Sequence, residues 1–218
     1  MTSKQPKVWI TLILILGFIA MLLGAFAYKH YKPEAKLHEL DATVLTQSRT
    51  VKPFTLTDEN GKPYTNQQLK GHWTFVYFGY TSCPDICPTT LAVLNQMYGK
   101  LLQTKTANPD VLFVSVDPHR DSPKHLKEYI KYFNGKFMAA TGSHKQIQAL
   151  TKELGIAYRI VPEKGKTEKN PGDTYLVDHS GAVLLFNPQG RLHAIFTQPD
   201  NAENMANEFL VIKKYAEK

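Results

Sequence analysis

Trp73-Thr74-Phe75-Val76-Tyr77-Phe78-Gly79-Tyr80-Thr81-Ser82-Cys83-Pro84-Asp85-Ile86-Cys87-Pro88 joins an apolar run to the chain's only two cysteines. Residues 73–79 are short, aromatic and uninterrupted by charge, the pattern of a strand buried on both faces. After the cysteines, Leu91, Leu94, Met97, Tyr98, Leu101 and Leu102 recur at helical spacing. Pro88 suits the first turn of that helix, where a missing N–H costs nothing. A strand therefore delivers two thiols to the start of a helix. Free amides and the partial positive charge there favour thiolate over thiol. The outline is that of a redox or soft-metal site.

Plainer uses of the pair fit less well. A disulfide closing so short a loop stabilises by only ~2 kcal/mol, against ~4.7 for a hundred-residue loop, so it is a poor staple. Structural zinc wants four Cys or His ligands at paired spacing, and one Cys pair exists. A working dithiol, a soft-metal site, or both remain. The C-x3-C spacing differs from the C-x2-C of ordinary dithiol oxidoreductases.

Outward from this stretch, residues 51–218 read as one domain. Phe54–Thr57 and Tyr64 flank Glu59-Asn60-Gly61-Lys62, a hairpin closed at Asn-Gly. Thr65 or Asn66 caps a short helix to Lys70. Val111–Val116 is a second apolar strand, and Ser122-Pro123 opens a helix to about Phe133. Phe137–Ala140 is a strand, and Ser143 caps a helix to about Leu154. Ile156–Val161 is a strand, and Pro162–Asp173 reads as a mobile loop. Ala182–Phe186 and Leu192–Thr197 flank the turn Asn187-Pro188-Gln189-Gly190, before a last helix from Asn201 to about Tyr215.

That order predicts an α/β, thioredoxin-like fold with a central mixed sheet. Its parallel strands place Cys83, Cys87 and the loop Asp117–Pro123 at one carboxyl edge, the usual ligand edge of open α/β sheets. If the Ala182 strand runs antiparallel, Asp178-His179-Ser180 starts at the same edge. His179 is therefore expected opposite the cysteines, with His119, in the second loop, as the alternative. Two sulfurs and an imidazole suit both Cu(I) and Cu(II). Asp85, between the cysteines, is either a helix-start acid or a group tuning the thiols or facing a partner. Asp178 is a candidate for orienting the imidazole. Asp117, Arg120 and Asp121 are expected to fix the loop, while Phe78 and Tyr80 are core residues beside the site.

Val8–Tyr28 contains no charged residue. As a helix at ~1.5 Å per residue it is about 31 Å long, enough to cross a bilayer. Residues 1–7 are then a cytoplasmic leader, 8–28 an uncleaved transmembrane helix and 29–50 a linker. The rival is a signal peptide cleaved after Ala25-Phe26-Ala27, but the apolar run exceeds a usual h-region. Either way the domain is exported. The leader lacks arginine and any amphipathic transit pattern, which points to a bacterial inner membrane with the domain on the periplasmic side. The 218 residues carry 26 Lys and Arg against 19 Asp and Glu, spread without aromatic interleaving. No nucleic-acid surface is read from them.

Val76–Pro88, Val114-Ser115-Val116-Asp117-Pro118 with Arg120-Asp121, and Val177-Asp178-His179 together resemble the Sco/SenC family of membrane-anchored copper proteins. The resemblance spans residues 51 to 212. It implies copper held by Cys83, Cys87 and His179, and a role in assembling the dinuclear copper centre of cytochrome c oxidase subunit II. His119 replaces an acid common in that loop, and Ser82 stands where histidine often precedes the first cysteine. Copper delivery to the oxidase subunit is the first expectation. The second is a thiol-disulfide reductase in which Cys83 attacks and Cys87 resolves. Whether the chain is an enzyme stays open between them. A weaker third reading, peroxide consumption, needs an arginine beside Cys83, and Arg120 is the candidate.

Overall fold

The computed structural model describes residues 5–30, 40–104, 109–168, 172 and 174–217. The chain divides into two units, Met1–Lys36 and Leu37–Lys218. In the first, α1 (Gln5–His30) is a 26-residue helix whose described side chains are exposed and, Thr11 apart, apolar, as at Trp9, Leu14 and Phe18. Among the described residues no helix is long and apolar enough to cross a membrane. The side chains of 5–8, 25 and 27–30 lie outside that set, as do residues 1–4 of the expected leader and 31–39 of the expected linker.

In the second unit, an eight-stranded sheet runs in the order β1-β10-β9-β4-β5-β6-β2-β3. The strands are β1 (Thr43–Arg49), β2 (Thr55–Asp58), β3 (Pro63–Thr65), β4 (Thr74–Gly79), β5 (Asp110–Ser115), β6 (Met138–Thr141), β9 (Val183–Phe186) and β10 (Leu192–Phe196). β4 is parallel to β5 and antiparallel to β9, so the sheet is mixed as expected. All six β4 residues are buried. Phe75 packs on Phe209 of α5 (Ala202–Ala216), and Tyr77 on Phe113 of β5. On the opposite face, Val76, Phe78, Leu112 and Val114 line the space beside Leu150 and Leu154 of α4 (His144–Leu154). Each such burial stabilises by roughly 1.5–3 kcal/mol, which makes β4 the axis of the core.

The helix starts follow their sequence signals. Ser122 accepts the His125 N–H at the start of α3 (Pro123–Phe133), and Ser143 forms a reciprocal box with Gln146 at α4. Thr65 caps the 3-10 turn Asn66–Leu69 in the same way. In α2 (Ile86–Gln103), Leu91, Leu94, Met97 and Leu101 are buried, but Leu102 is exposed. Its place on the apolar stripe is corrected because adjacent helix residues point about 100° apart, and Leu101 takes the core direction.

Two strands went unread in the sequence. β1 lies inside the expected linker and pairs antiparallel with β10 at the sheet edge. Its polar, half-exposed residues leave little periodicity. Buried Glu208 of α5 accepts the backbone N–H groups of Asp41 and Ala42 and ties the entry to β1. The second is β8 (Leu176–His179), which forms a separate two-stranded sheet with β7 (Tyr158–Val161). Within the expected loop Pro162–Asp173, residues 169–171 and 173 lie outside the described set.

Candidate metal centre

The edge where β4 ends carries the site. Gly79 closes the strand, and a turn in which the Cys83 N–H donates to the Tyr80 carbonyl lifts Cys83 into partial exposure. The chain then enters α2, whose first turn buries Cys87 completely. Gly79 has a steric reason to be glycine. A Cβ there would stand 2.7 Å from the Cys87 sulfur and 2.8 Å from the Phe113 ring.

His179 arrives from β8, four strands and 92 residues beyond Cys87 in the chain, with its Nε2 3.1 Å from the Cys87 Sγ. Its Nδ1 is 3.1 Å from the Ser180 carbonyl. A carbonyl only accepts, so Nδ1 holds the hydrogen and Nε2 presents its lone pair to the sulfur. The rings of Tyr80 and Tyr77 stand edge-on to the imidazole at 5.8 and 6.2 Å, fixing its plane. One donor atom each from Cys83, Cys87 and His179 lies within 4.8 Å of the others. Neither cysteine is in a disulfide.

Burial sets the charge state. It pushes the Cys87 thiol well above its ordinary value, outweighing the helix start that the sequence suggested would favour thiolate. It also pulls His179 below the usual imidazole value. Without metal, the inner half of the site is a neutral thiol facing a neutral imidazole. Binding a cation there displaces the sulfur's proton. Two sulfurs and an imidazole with its lone pair directed inward fit a soft, low-coordinate metal such as copper.

The neighbouring candidates divide. Asp85 takes the N-cap position of α2, but its carboxylate makes no capping bond and is exposed beside the cysteines. Asp178 does not orient His179: alternation along β8 turns it outward, where it pairs with Arg159 at 2.9 Å. His119 is exposed and, among the described residues, is not one of the three whose donor atoms converge. Arg120 gives its Nε to the Asp117 carboxylate and its Nη1 to the Tyr175 carbonyl, and its buried Nη2 has no hydrogen-bond partner. No contact between that guanidinium and Cys83, which the peroxide reading needs, is found among the described residues.

The loop acids do hold the edge together. Buried Asp121 accepts the Thr81 N–H at 3.0 Å and the Thr81 and Ser115 hydroxyls at 2.6 Å each. Asp117 accepts the Tyr175 hydroxyl at 2.6 Å. Sequence reasoning missed Thr81, Ser115 and Tyr175 as parts of this frame. For the first two, the signal was a small hydroxyl at the end of each parallel strand. Tyr175 had no local signal.

The family model described as SCO1/SenC matches residues 42–215. A protein of Stutzerimonas stutzeri described as copper-binding is 35% identical over 165 residues, 76% of this chain and 78% of its own. The SCO2-like protein of Rickettsia prowazekii is 40% identical over 141 residues, covering 64% of this chain and 65% of its own length. Among solved structures, Arabidopsis thaliana ScoI with copper bound superimposes with a TM-score of 0.67 at 30% identity. That alignment covers 77% of this chain and 99% of the other.

Proposed function

The chain belongs to the SCO1/SenC family, and from that premise we propose that it takes up copper at Cys83, Cys87 and His179. It passes the ion by ligand exchange to the dinuclear copper centre of cytochrome c oxidase subunit II. The observation that carries this reading is the convergence of two sulfurs and one imidazole within 4.8 Å, from segments far apart in sequence. Cys83 is the half-exposed donor and Cys87 the enclosed one, an asymmetry suited to handing over a cargo from one side. Copper bound to a relative of the same fold supports the choice of metal.

The test is copper stoichiometry and absorption of the full chain, wild type against His179→Ala. Retention should weaken and the spectrum change, while both thiols stay titratable. A variant that binds copper as wild type does would overturn the ligand assignment.

The same asymmetry favours a second reading, reduction of a partner disulfide. The Cys83 thiolate attacks one partner sulfur, forming a mixed disulfide and releasing the other as a thiolate that takes a proton. Cys87 attacks the Cys83 sulfur, and its proton passes to the departing partner sulfur. The partner leaves as a dithiol, and a Cys83–Cys87 disulfide remains. Oxidase assembly that survives His179→Ala but not Cys83→Ser would select this reading.

Membrane attachment is part of the proposal. The uncharged run Val8–Tyr28 lies within the helix Gln5–His30, and Trp9 and Tyr28 stand near its ends, where aromatic rings favour an interface. The domain is then held on the periplasmic face of a bacterial inner membrane. Alkaline carbonate extraction and a carboxyl-terminal alkaline phosphatase fusion test it. Release by carbonate, or an inactive fusion, would overturn it.

A further inference from the structure

The sulfurs and the imidazole are mounted on different supports. Cys83 and Cys87 follow β4, the centre of the main sheet. His179 ends β8, which belongs to the separate β7–β8 ribbon. Val177 is the one buried residue within the two strands of that ribbon. Four residues past His179, Val183 of β9 pairs with Tyr77 of β4, so sheet bonding holds the far side of the imidazole and leaves its β8 side to other contacts.

Adjacent residues of one turn grip both. Asp121 holds the sulfur half through the Thr81 N–H and hydroxyl, two residues before Cys83. Arg120 holds the imidazole half through Tyr175, the residue before β8. Its Nη1 donates to the Tyr175 carbonyl at 2.9 Å, and its guanidinium carbon lies 3.7 Å from the centre of the Tyr175 ring. Its Nε donates to Asp117, whose other oxygen accepts the Tyr175 hydroxyl. Arg120, Asp117 and Tyr175 thus close a ring of charge-assisted and stacking contacts, with the Arg120 side chain only 18% exposed. The same guanidinium stands 5.5 Å over Tyr80, the ring that abuts His179 edge-on.

We propose that Arg120 and Asp121 are positioning residues that together fix the spacing between the dithiol and His179, Arg120 acting on the β8 side and Asp121 on the Cys83 side. The inference rests on the copper reading for its purpose but not for its geometry, and its test separates the two.

Segment-resolved hydrogen exchange of the metal-free full-length chain is compared for wild type, Arg120→Gln, Tyr175→Phe and Asp121→Asn. In Arg120→Gln, exchange over Leu176–His179 should rise on the order of ten- to a hundredfold, the size expected for one lost charge-assisted bond. Amides of β4 and β5 should keep their wild-type rates. Tyr175→Phe, which removes a single hydroxyl, should give a smaller rise in the same segment, and it serves if the arginine variant does not fold. Asp121→Asn should instead loosen Thr81–Cys83. Titration with a Cu(II) salt should then give Arg120→Gln an EPR spectrum lacking the nitrogen hyperfine of wild type, like His179→Ala. Wild-type exchange over Leu176–His179 in both Arg120→Gln and Tyr175→Phe, or an equal rise in every strand, would overturn the proposal. Failure of the wild-type chain to take up copper would overturn the functional reading alone.

Discussion

His179 Nε2 sits 3.1 Å from the sulfur of Cys87, a residue with no exposed surface, and the Nδ1 hydrogen is engaged by the Ser180 carbonyl. The pair is arranged before any metal enters. The lone pair already points at the sulfur, so little reorganisation is needed at binding.

The two thiols should therefore react unequally. Cys83 is half-exposed, whereas Cys87 is enclosed and its thiol is held protonated by burial. Alkylation of the reduced, metal-free chain at neutral pH, mapped by mass spectrometry, should modify Cys83 first and Cys87 slower by about tenfold or more. Equal rates would contradict the burial of Cys87.

Gly79→Ala tests the close approach at the end of β4. The added methyl meets the Cys87 sulfur and the Phe113 ring, and both are confined by the core. Overpacking should cost about 1–3 kcal/mol in a denaturant melt. It should also lower copper retention, because the sulfur is the group that must move. A variant of wild-type stability and copper content would show that the edge can relax.

Stability should fall as the medium is acidified, partly through His193. That ring bonds the Ser48 hydroxyl, packs edge-on against Trp73, and burial lowers its pKa below the ordinary 6.5. The unfolded chain binds the proton more readily than the folded one. The contribution is thus present above pH 6.5 and is lost as pH falls through that value toward the folded pKa. His179 acts with the same sign. Buried Asp121, whose pKa is raised, acts with the opposite sign and favours the fold at lower pH. Thermal midpoints between pH 8 and 5 should drop less in His193→Gln than in wild type. Parallel curves would remove His193 from the account.

Glu208→Gln tests the tie on β1. The carboxylate accepts two backbone N–H groups, from Asp41 and Ala42. An amide in its place turns a donor toward one of them. The unsatisfied buried group should cost about 1–3 kcal/mol in a denaturant melt. Limited proteolysis should cut near β1 sooner than in wild type. An unchanged cutting pattern would mean that β10 alone holds the strand.

What the sequence disclosed follows from how each part is stabilised. β4 and β5 are buried on both faces and read as apolar runs, and α3 and α4 announce themselves by Ser122 and Ser143. The position of His179 followed from topology, because a strand antiparallel to β4 must begin where β4 ends. β1 and β8 were silent because cross-strand bonds, rather than a buried face of their own, hold them. Tyr175 was silent because its partners, Asp117 and Arg120, lie more than fifty residues away. Asp178 looked like the imidazole's neighbour and is not, since adjacent strand residues face opposite ways.

The edge strand β1 also decides where the polypeptide can be trimmed. A version begun at residue 51, the boundary suggested by composition, would strip β10 of β1, the outer of its two antiparallel neighbours. An unprotected row of amides and carbonyls would then be free to template self-association. It would also strand a buried carboxylate at Glu208 without its two amide donors. Starting ahead of Leu40 keeps both intact, so the shortest well-behaved fragment is longer than the recognisable motif.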